Sequence, residues 1–136
     1  MNRDHVPFPR PASSGLPRRP DRSGPRELDR ERALELLGRA AVGRVVYTVG
    51  ALPAVLPVTF RLVPGGVLVS APADSELARA VDGAVIAFEA DEVDGRDGSG
   101  WFVTVLGHAK VGPGAAAPDA VRIRIRPELV IGRCLR

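Results

Sequence analysis

The chain has 136 residues, of which 45% are hydrophobic, and a formal net charge of +3. This length is enough for one compact domain. The only cysteine, Cys134, excludes an internal disulfide and any zinc site built from several cysteines. No apolar segment approaches the roughly 20 residues that a membrane-spanning helix needs, and residues 1–11 lack the apolar core of a signal peptide. We therefore expect a protein of the reducing cytoplasm.

Residues 1–27 differ in composition from the rest of the chain. They contain six prolines and six arginines but few large apolar residues, so they cannot bury enough surface to offset the entropy lost on ordering. We predict a disordered tail over residues 1–27 and one domain over residues 28–136. The domain carries 13 cationic and 13 anionic residues, and this balance argues against a nucleic-acid-binding face. The arginines of the tail leave open a contact with phosphate groups or an acidic lipid surface.

Hydrophobic periodicity predicts two short helices. The first, Leu28–Ala41, has Asp29 as its N-cap and is ended by Gly43. Its expected buried face consists of Ala33, Leu34, Leu37, Ala40 and Ala41. The second helix spans residues 74–81 and begins with Asp74 or Ser75 as its N-cap.

The remaining apolar segments have the length and the β-branched composition of strands. They are Arg44–Val49, Ala54–Leu62, Val67–Ser70, Val85–Ala90, Gly100–Val111 and Val121–Arg126, with an extension over Glu128–Ile131. Pro57 has no N–H to donate, so the second strand is predicted to lie at an edge or an opening. The continuous apolar run Val85–Ala90 predicts a strand buried on both faces. Strict alternation in the last full strand places its three arginines outward.

Short connections join these strands, and few helices interrupt them. This pattern is typical of a small β-barrel or a closed antiparallel sheet with minor helix content. The spacing does not fit the strand–helix–strand units of a parallel sheet, and no internal repeat is visible.

Residue chemistry alone points to no enzyme. The carboxylates of residues 89–97 do not have the spacing of a calcium-binding loop, and two histidines are too few for a metal site. Cys134 has no histidine nearby in sequence, and neither Ser70 nor Ser75 lies in a nucleophile-elbow motif. His108 fits a structural role on a strand better than the role of a general base. We therefore predict no metal site and name no catalytic residue.

The order of the predicted elements resembles a known family. The most specific segments are PAVLPVTF at 53–60, AFEADEVD at 87–94 and SGWFVTVLGHA at 99–109. Together they resemble the pyridoxamine 5′-phosphate oxidase-like proteins of the flavin split-barrel group, in their short actinobacterial-type branch, over residues 28–136. The resemblance implies a six-stranded antiparallel split barrel with short flanking helices that forms a homodimer. It also implies flavin mononucleotide (FMN) in a groove at the dimer interface and oxidation or reduction of a small substrate.

The resemblance also assigns residues to the flavin. Residues 57–60 are expected along the isoalloxazine ring, where an edge-like main chain can bind the ring's carbonyls and nitrogens. Residues 70–77 are expected at the phosphate, because a helix N-terminus favours an anion. Trp101 is expected either to stack near the ring or to pack in the core. The full set of expected cofactor-binding residues is Pro57, Val58, Thr59, Phe60, Arg61, Ser70, Ala71, Ser75, Glu76 and Trp101.

Three positions depart from the pattern of the family. Where its members carry an arginine–threonine pair and a lysine near the phosphate, this chain has Ser70, Ala71 and Glu76. The missing cations weaken the charge-assisted hydrogen bonds on which phosphate binding depends. Arg61 and Arg79 remain nearby, although Arg79 is also placed to pair with Glu76. Three functions stay open: a flavin-dependent oxidoreductase, a cofactor-free split-barrel dimer with a binding or structural role, and a deazaflavin-dependent relative.

Overall fold

Six antiparallel strands close into a barrel in this computed structural model, which describes residues 26–114 and 118–135. In chain order the elements are β1 (Arg26–Leu28), α1 (Arg30–Leu37), β2 (Val42–Val49), β3 (Leu52–Val63), β4 (Gly66–Pro72), α2 (Glu76–Val81), β5 (Val85–Val93), β6 (Gly100–Pro113), β7 (Ala120–Ile125) and β8 (Leu129–Leu135). The barrel runs β6-β5-β2-β3-β4-β7 and closes because β6 also pairs with β7. β8 pairs with the first half of β6, and β1 pairs with β8. The predicted mainly β fold, with its six-stranded barrel and short helices, is thereby confirmed.

The two longest strands, β3 and β6, each change partner along their length. β3 pairs with β2 over residues 52–59 and with β4 over residues 60–63. β6 pairs with β8 in its first half and with β7 in its second half. Among the described residues, the first half of β3 has no strand partner on the side away from β2. This free edge confirms the edge or opening predicted at Pro57.

The barrel interior is filled by side chains at alternating strand positions, together with residues of both helices. The largest fully buried side chains are Phe88, Leu37, Leu77, Ile123, Ile125, Val45, Val67, Val69, Val81, Val103 and Val105. Ile123 and Ile125 are buried and confirm the inward face predicted for β7, and Arg124 between them is exposed.

Two strand predictions need correction. Residues 85–90 are not buried on both faces, because Val85 is 59% exposed and burial alternates along β5. One face of β5 lines the barrel interior, and the other belongs to the outer surface. Residues 128–131 do not extend β7, because Pro127 separates it from β8, which pairs with β6 instead.

The first helix is shorter than predicted, because α1 ends at Leu37. Asp29 is its N-cap as predicted, with a side-chain oxygen that accepts from the main-chain N–H of Arg32 at 2.8 Å. Gly43 does not end the helix but lies in β2, under the ring of Phe88. A Cβ there would come within 2.2 Å of Cζ of that ring, so the glycine leaves room for a buried aromatic side chain.

The buried face of α1 and the start of the domain also differ from expectation. Leu36 is buried while Ala41 is exposed beyond the helix, since residues 33, 36 and 37 share one helix face. Arg26 and Glu27, expected in the tail, form β1 and pair with β8. The rest of the predicted tail, residues 1–25, lies outside the described residues. No helix within the described ranges is long and apolar enough to cross a membrane.

Candidate functional site

A shallow groove crosses the outside of the barrel at the point where the pairing partner of β3 changes from β2 to β4. Its volume is about 170 Å³, and its lining consists of Thr59, Phe60, Arg61, Leu68 and Ser70. All of these except Leu68 are predicted cofactor-binding residues, so the fold brings part of the predicted site together. Leu68 faces outward on β4 yet is only 7% exposed. Sequence reasoning misses it, because an apolar residue in an apolar strand is interpreted as core.

Pro57 and Val58 precede the groove on β3. Pro57 is exposed, and Val58 packs partly against the core. In the described part of the chain, the main chain here has no strand partner on the side away from β2. Its N–H and C=O groups on that side are therefore open to a ligand or a partner.

Phe60 is held in place from inside the barrel. Its ring meets the ring of Phe88 edge to face, with centroids 4.7 Å apart and planes at 65°, which is a favourable geometry for an aromatic pair. Phe88 is fully buried and lies over Gly43. This contact therefore fixes the main chain of Phe60 at the groove.

Ala71 and Trp101 belong to the barrel interior. Both side chains are buried and form part of the hydrophobic core. Ala71 can contact a ligand only through its main chain. Trp101 pairs with Glu92 and Cys134 on neighbouring strands and does not line the groove. Of the two expectations for Trp101, the structure places it in core packing.

Ser75 and Glu76 lie at the start of α2. The Ser75 hydroxyl accepts from the main-chain N–H of Ala78 at 3.1 Å and caps the helix, as predicted. Glu76 does not pair with Arg79, whose guanidinium donates to the main-chain carbonyl of Asp74 instead. Burial raises the pKa of Tyr47, and the nearby Glu76 carboxylate raises it further.

A group of outward-facing cations lies next to the groove, and we call it the cationic face. It consists of Arg61 on β3, Lys110 on β6, and Arg122 and Arg124 on β7. The last three line a second depression of about 210 Å³ together with Leu68, Gly112 and Pro113. Alternation in β7 shows from the sequence that its arginines face outward. It does not show that β7 lies beside β4, where Arg122 is the register partner of Ser70.

A row of apolar side chains crosses the barrel surface away from the cationic face. Each of these outward side chains is the register partner of the next, across five strands. This apolar row consists of Val55, Val46, Ala87, Leu106 and Leu129. Val55 is 60% and Leu129 54% exposed, so no other part of the chain that the structure describes covers the two ends of the row.

One ion-pair cluster lies beside the apolar row. Arg44 contacts Glu89 at 2.8 Å and Asp91 at 3.5 Å. Burial raises the pKa of Glu89 and the neighbouring Asp91 carboxylate adds to this rise, while Arg44 opposes it. The two carboxylates share one guanidinium, so the cluster carries net negative charge.

His108 lies outside the groove, in a structural contact. Its Nδ1 is 2.8 Å from the Glu128 carboxylate, and this hydrogen bond holds the pKa of Glu128 below its ordinary value. Within residues 26–114 and 118–135, no group of three or more His, Cys, Asp or Glu is arranged to hold a metal ion.

Comparison with known proteins decides the family. The sequence profile described as Pyridoxamine 5′-phosphate oxidase matches residues 29–130 of this chain. The chain belongs to this family. The match spans every strand of the barrel, and it confirms the resemblance carried by the segments at 53–60, 87–94 and 99–109.

Individual proteins are similar to this chain in sequence or in fold. An uncharacterized protein of Mycobacterium tuberculosis is 42% identical over an alignment of 88 positions, which covers 61% of this chain and 58% of that protein. The chain therefore spans less than two thirds of that relative's length. The structure of an FAD binding protein from Mycobacterium smegmatis superposes with a TM-score of 0.71 at 29% identity, covering 83% of this chain and all of that one. A conserved protein of unknown function from Corynebacterium diphtheriae shares the fold, with a TM-score of 0.66, 23% identity, and coverage of 82% and 98%.

The contact between Glu76 and Tyr47 can be tested directly, because Tyr47 is the only tyrosine in the chain. Burial raises the pKa of Tyr47 above its ordinary value, and the Glu76 carboxylate raises it further. We expect Glu76→Gln to lower this pKa without restoring the ordinary value, since burial is the larger cause. The absorbance of the tyrosinate in a pH titration measures the change, with Glu31→Gln on α1 as the matched control. An unchanged pKa in Glu76→Gln would contradict the contact.

Proposed function

We propose that this protein binds a flavin nucleotide as a homodimer and uses it to oxidise or reduce a small substrate. The observation that carries the proposal is the groove at the partner change of β3, where an unpaired main chain adjoins hydroxyl and cationic side chains. The Mycobacterium smegmatis relative, an FAD binding protein, supports a flavin in general. FMN, the cofactor that the family resemblance implies, is also the flavin-bearing half of FAD. The groove therefore needs to fit only this shared FMN moiety.

The flavin ring fits the free edge of β3 before the groove. Main-chain groups of residues 57–59 are available to bind the ring's carbonyls and nitrogens, and the Thr59 hydroxyl is exposed beside them. The Phe60–Phe88 contact keeps this main chain rigid, and rigid positioning reduces the entropy lost on binding. The bound flavin would supply two-electron redox chemistry, and the main chain of residues 57–59 would orient the ring.

The phosphate fits the other end of the groove, at Ser70. A phosphate monoester carries roughly −1.5 to −2 charges at neutral pH. Arg61 lines the groove, and Arg122 is the register partner of Ser70, so two guanidinium groups can replace the cations that the family pattern has elsewhere.

A second copy of this chain is the proposed partner of the apolar row. In a twofold symmetric dimer the same patch meets itself, so a self-complementary apolar surface suits the contact. Val55 of the row lies on β3, two residues before Pro57, so the interface would continue into the free edge that receives the ring. A cytoplasmic location belongs to the same proposal and is supported by the lone Cys134.

Arg61→Ala should weaken FMN binding about tenfold, because it removes one charge-assisted hydrogen bond worth roughly 1.5 kcal/mol. Calorimetric titration of the purified protein with FMN measures the change. Arg126→Ala is the matched control, since Arg126 is an exposed arginine that follows β7 and lines neither depression. Equal dissociation constants for both variants and the parent chain would contradict the placement of the phosphate.

A cofactor-free dimer is the second candidate, and one observation favours it. Ala71 is buried and Glu76 is anionic, so neither side chain at these expected phosphate positions attracts a phosphate. If the protein binds neither FMN nor FAD, the flavin proposal fails and this candidate takes its place. A deazaflavin nucleotide in the same titration tests the third function left open by the sequence.

A further inference from the structure

A cavity of about 270 Å³ lies at one end of the barrel, between α1, the turn from β3 to β4 and the connection from β7 to β8. Its lining is mainly apolar and consists of Arg30, Leu34, Leu62, Val63, Gly65, Gly66, Val67 and Pro127. Among the described residues, this lining and that of the flavin groove have none in common. The mouth of a β-barrel is a usual place for a small ligand.

Close contacts at two glycines shape the walls of this end cavity. A Cβ on Gly66 would overlap the main-chain oxygen of Ile125, so the glycine lets the β3–β4 turn lie directly against the end of β7. A Cβ on Gly38 would lie 3.3 Å from a methyl group of Leu62, so the C-terminal end of α1 packs closely against β3. The cavity therefore lies towards the N-terminal half of α1, where Leu34 forms part of its wall.

The size and the walls of the end cavity limit its ligand to a small apolar body. Pockets for drug-sized ligands have volumes of roughly 300 to 1,000 Å³, and this one is smaller. At about 30 Å³ for each water-sized group, it holds about nine non-hydrogen atoms. Leu34 and Leu62 pack partly against the core, and Val67 is fully buried. Such walls offer water few hydrogen-bond partners, so an apolar group is favoured over water.

Arg30 places a positive charge at this apolar cavity. It is the first residue of α1, and Leu34 lies one turn later on the same helix face. Its Nη2 donates to the main-chain carbonyl of Pro127 at 2.7 Å, and this hydrogen bond joins two walls of the cavity. Within the described ranges Arg30 forms no ion pair. A guanidinium has five N–H donors, so donors remain for an anionic group of a ligand.

We propose that the end cavity binds a small monocarboxylic acid, with its apolar body against Leu34, Leu62 and Val67 and its carboxylate on Arg30. Burial of the apolar body supplies most of the affinity, and the charge-assisted hydrogen bond to the guanidinium fixes the orientation. Hexanoate, with about eight non-hydrogen atoms, matches the volume. The inference does not depend on the proposed function, because the flavin groove lies elsewhere on the barrel.

Calorimetric titration of the full chain with hexanoate tests the assignment. Hexylamine, which carries the opposite charge on the same chain, should bind at least about tenfold more weakly than hexanoate. Arg30→Ala should raise the hexanoate dissociation constant about tenfold, whereas Arg30→Lys, which keeps the charge, should raise it less than about threefold. Arg32→Ala should leave it unchanged. Arg32 is the matched control, because it is an exposed arginine of the same helix that pairs with Glu35 and does not line the cavity.

Methyl-group NMR locates the ligand without any substitution. Saturating hexanoate should shift the methyl signals of Leu34, Leu62 and Val67, which line the end cavity. The signals of Leu106 and Leu129, which lie in the apolar row, should stay in place. Shifts confined to the apolar row would assign hexanoate to that surface and overturn the inference.

Two further outcomes would overturn the end cavity as an acid-binding site. One is a parent chain that binds no hexanoate, and the other is equal hexanoate affinity in the parent chain and Arg30→Ala. The melting temperature verifies that Arg30→Ala is folded, and if it is not, the NMR shifts and the comparison with hexylamine still decide. FMN affinity should be the same in Arg30→Ala as in the parent chain, so failure of this inference leaves the proposed function standing.

Discussion

Phe88→Ala should lower the free energy of unfolding by about 3–5 kcal/mol, the usual cost of removing a large buried aromatic side chain. Phe88 has no exposed surface and is the largest of the fully buried side chains. Its ring fills the space above Gly43 and meets the ring of Phe60. Truncation would leave a cavity between β2, β3 and β5, and a closed barrel can collapse into such a cavity only by moving paired strands. Urea-induced unfolding measures the loss.

The same substitution should also weaken flavin binding, because Phe60 would lose the contact that fixes the main chain at the groove. Phe88→Leu keeps most of the side-chain volume, so it should destabilise the protein by less than half as much as Phe88→Ala. Val93→Ala on the same strand is the control, since Val93 is 52% exposed and should change stability by less than about 0.5 kcal/mol. If Phe88→Ala and Val93→Ala unfold at the same urea concentration, Phe88 does not hold the barrel together.

Local patterns explain why the strands could be predicted from the sequence. Alternation in β7 and the missing N–H of Pro57 each depend on a few neighbouring residues, and both give the correct result. Gly43 shows the limit of such patterns. A glycine after a helical segment usually ends the helix, but this one is required by the ring of Phe88, which lies far away in sequence and adjacent in space.

The candidate site depends more strongly on distant pairings. Thr59, Phe60 and Arg61 are consecutive, so the sequence predicts them as a group. The cations on β6 and β7 lie next to the groove only because barrel closure places β7 between β4 and β6. No local sequence pattern predicts that β4 and β7 are neighbours. The assignment of Ala71 to the phosphate follows its position in the family pattern. Its inward orientation follows from alternation with Val67 and Val69 on β4, which are buried.

Leu106→Glu should dissociate the proposed homodimer, raising its dissociation constant by at least about a hundredfold. Leu106 lies in the apolar row between Ala87 and Leu129. An unpaired charge buried at an interface costs about 3–5 kcal/mol, and each 1.4 kcal/mol corresponds to a factor of about ten. The side chain faces outward, so the barrel itself should remain folded. Sedimentation velocity across a range of protein concentrations measures the association.

The sign of the charge introduced at position 106 distinguishes two causes of dissociation: loss of a buried apolar contact, and repulsion by the neighbouring carboxylates. A glutamate at position 106 would lie diagonally across from Glu89, which already shares Arg44 with Asp91, whereas a lysine there would be attracted to that cluster. If the row is a buried apolar contact, Leu106→Lys should also dissociate the dimer, because a lysine loses its hydration there just as a glutamate does. Val93→Glu, an exposed apolar position of β5 outside the row, should leave association unchanged. A parent chain that sediments as a monomer, or a Leu106→Lys variant that stays dimeric, would rule out the apolar row as the interface. Because the free edge of β3 adjoins Val55, dissociated variants should also bind FMN more weakly, and such a coupling would place the flavin at the boundary between the two copies.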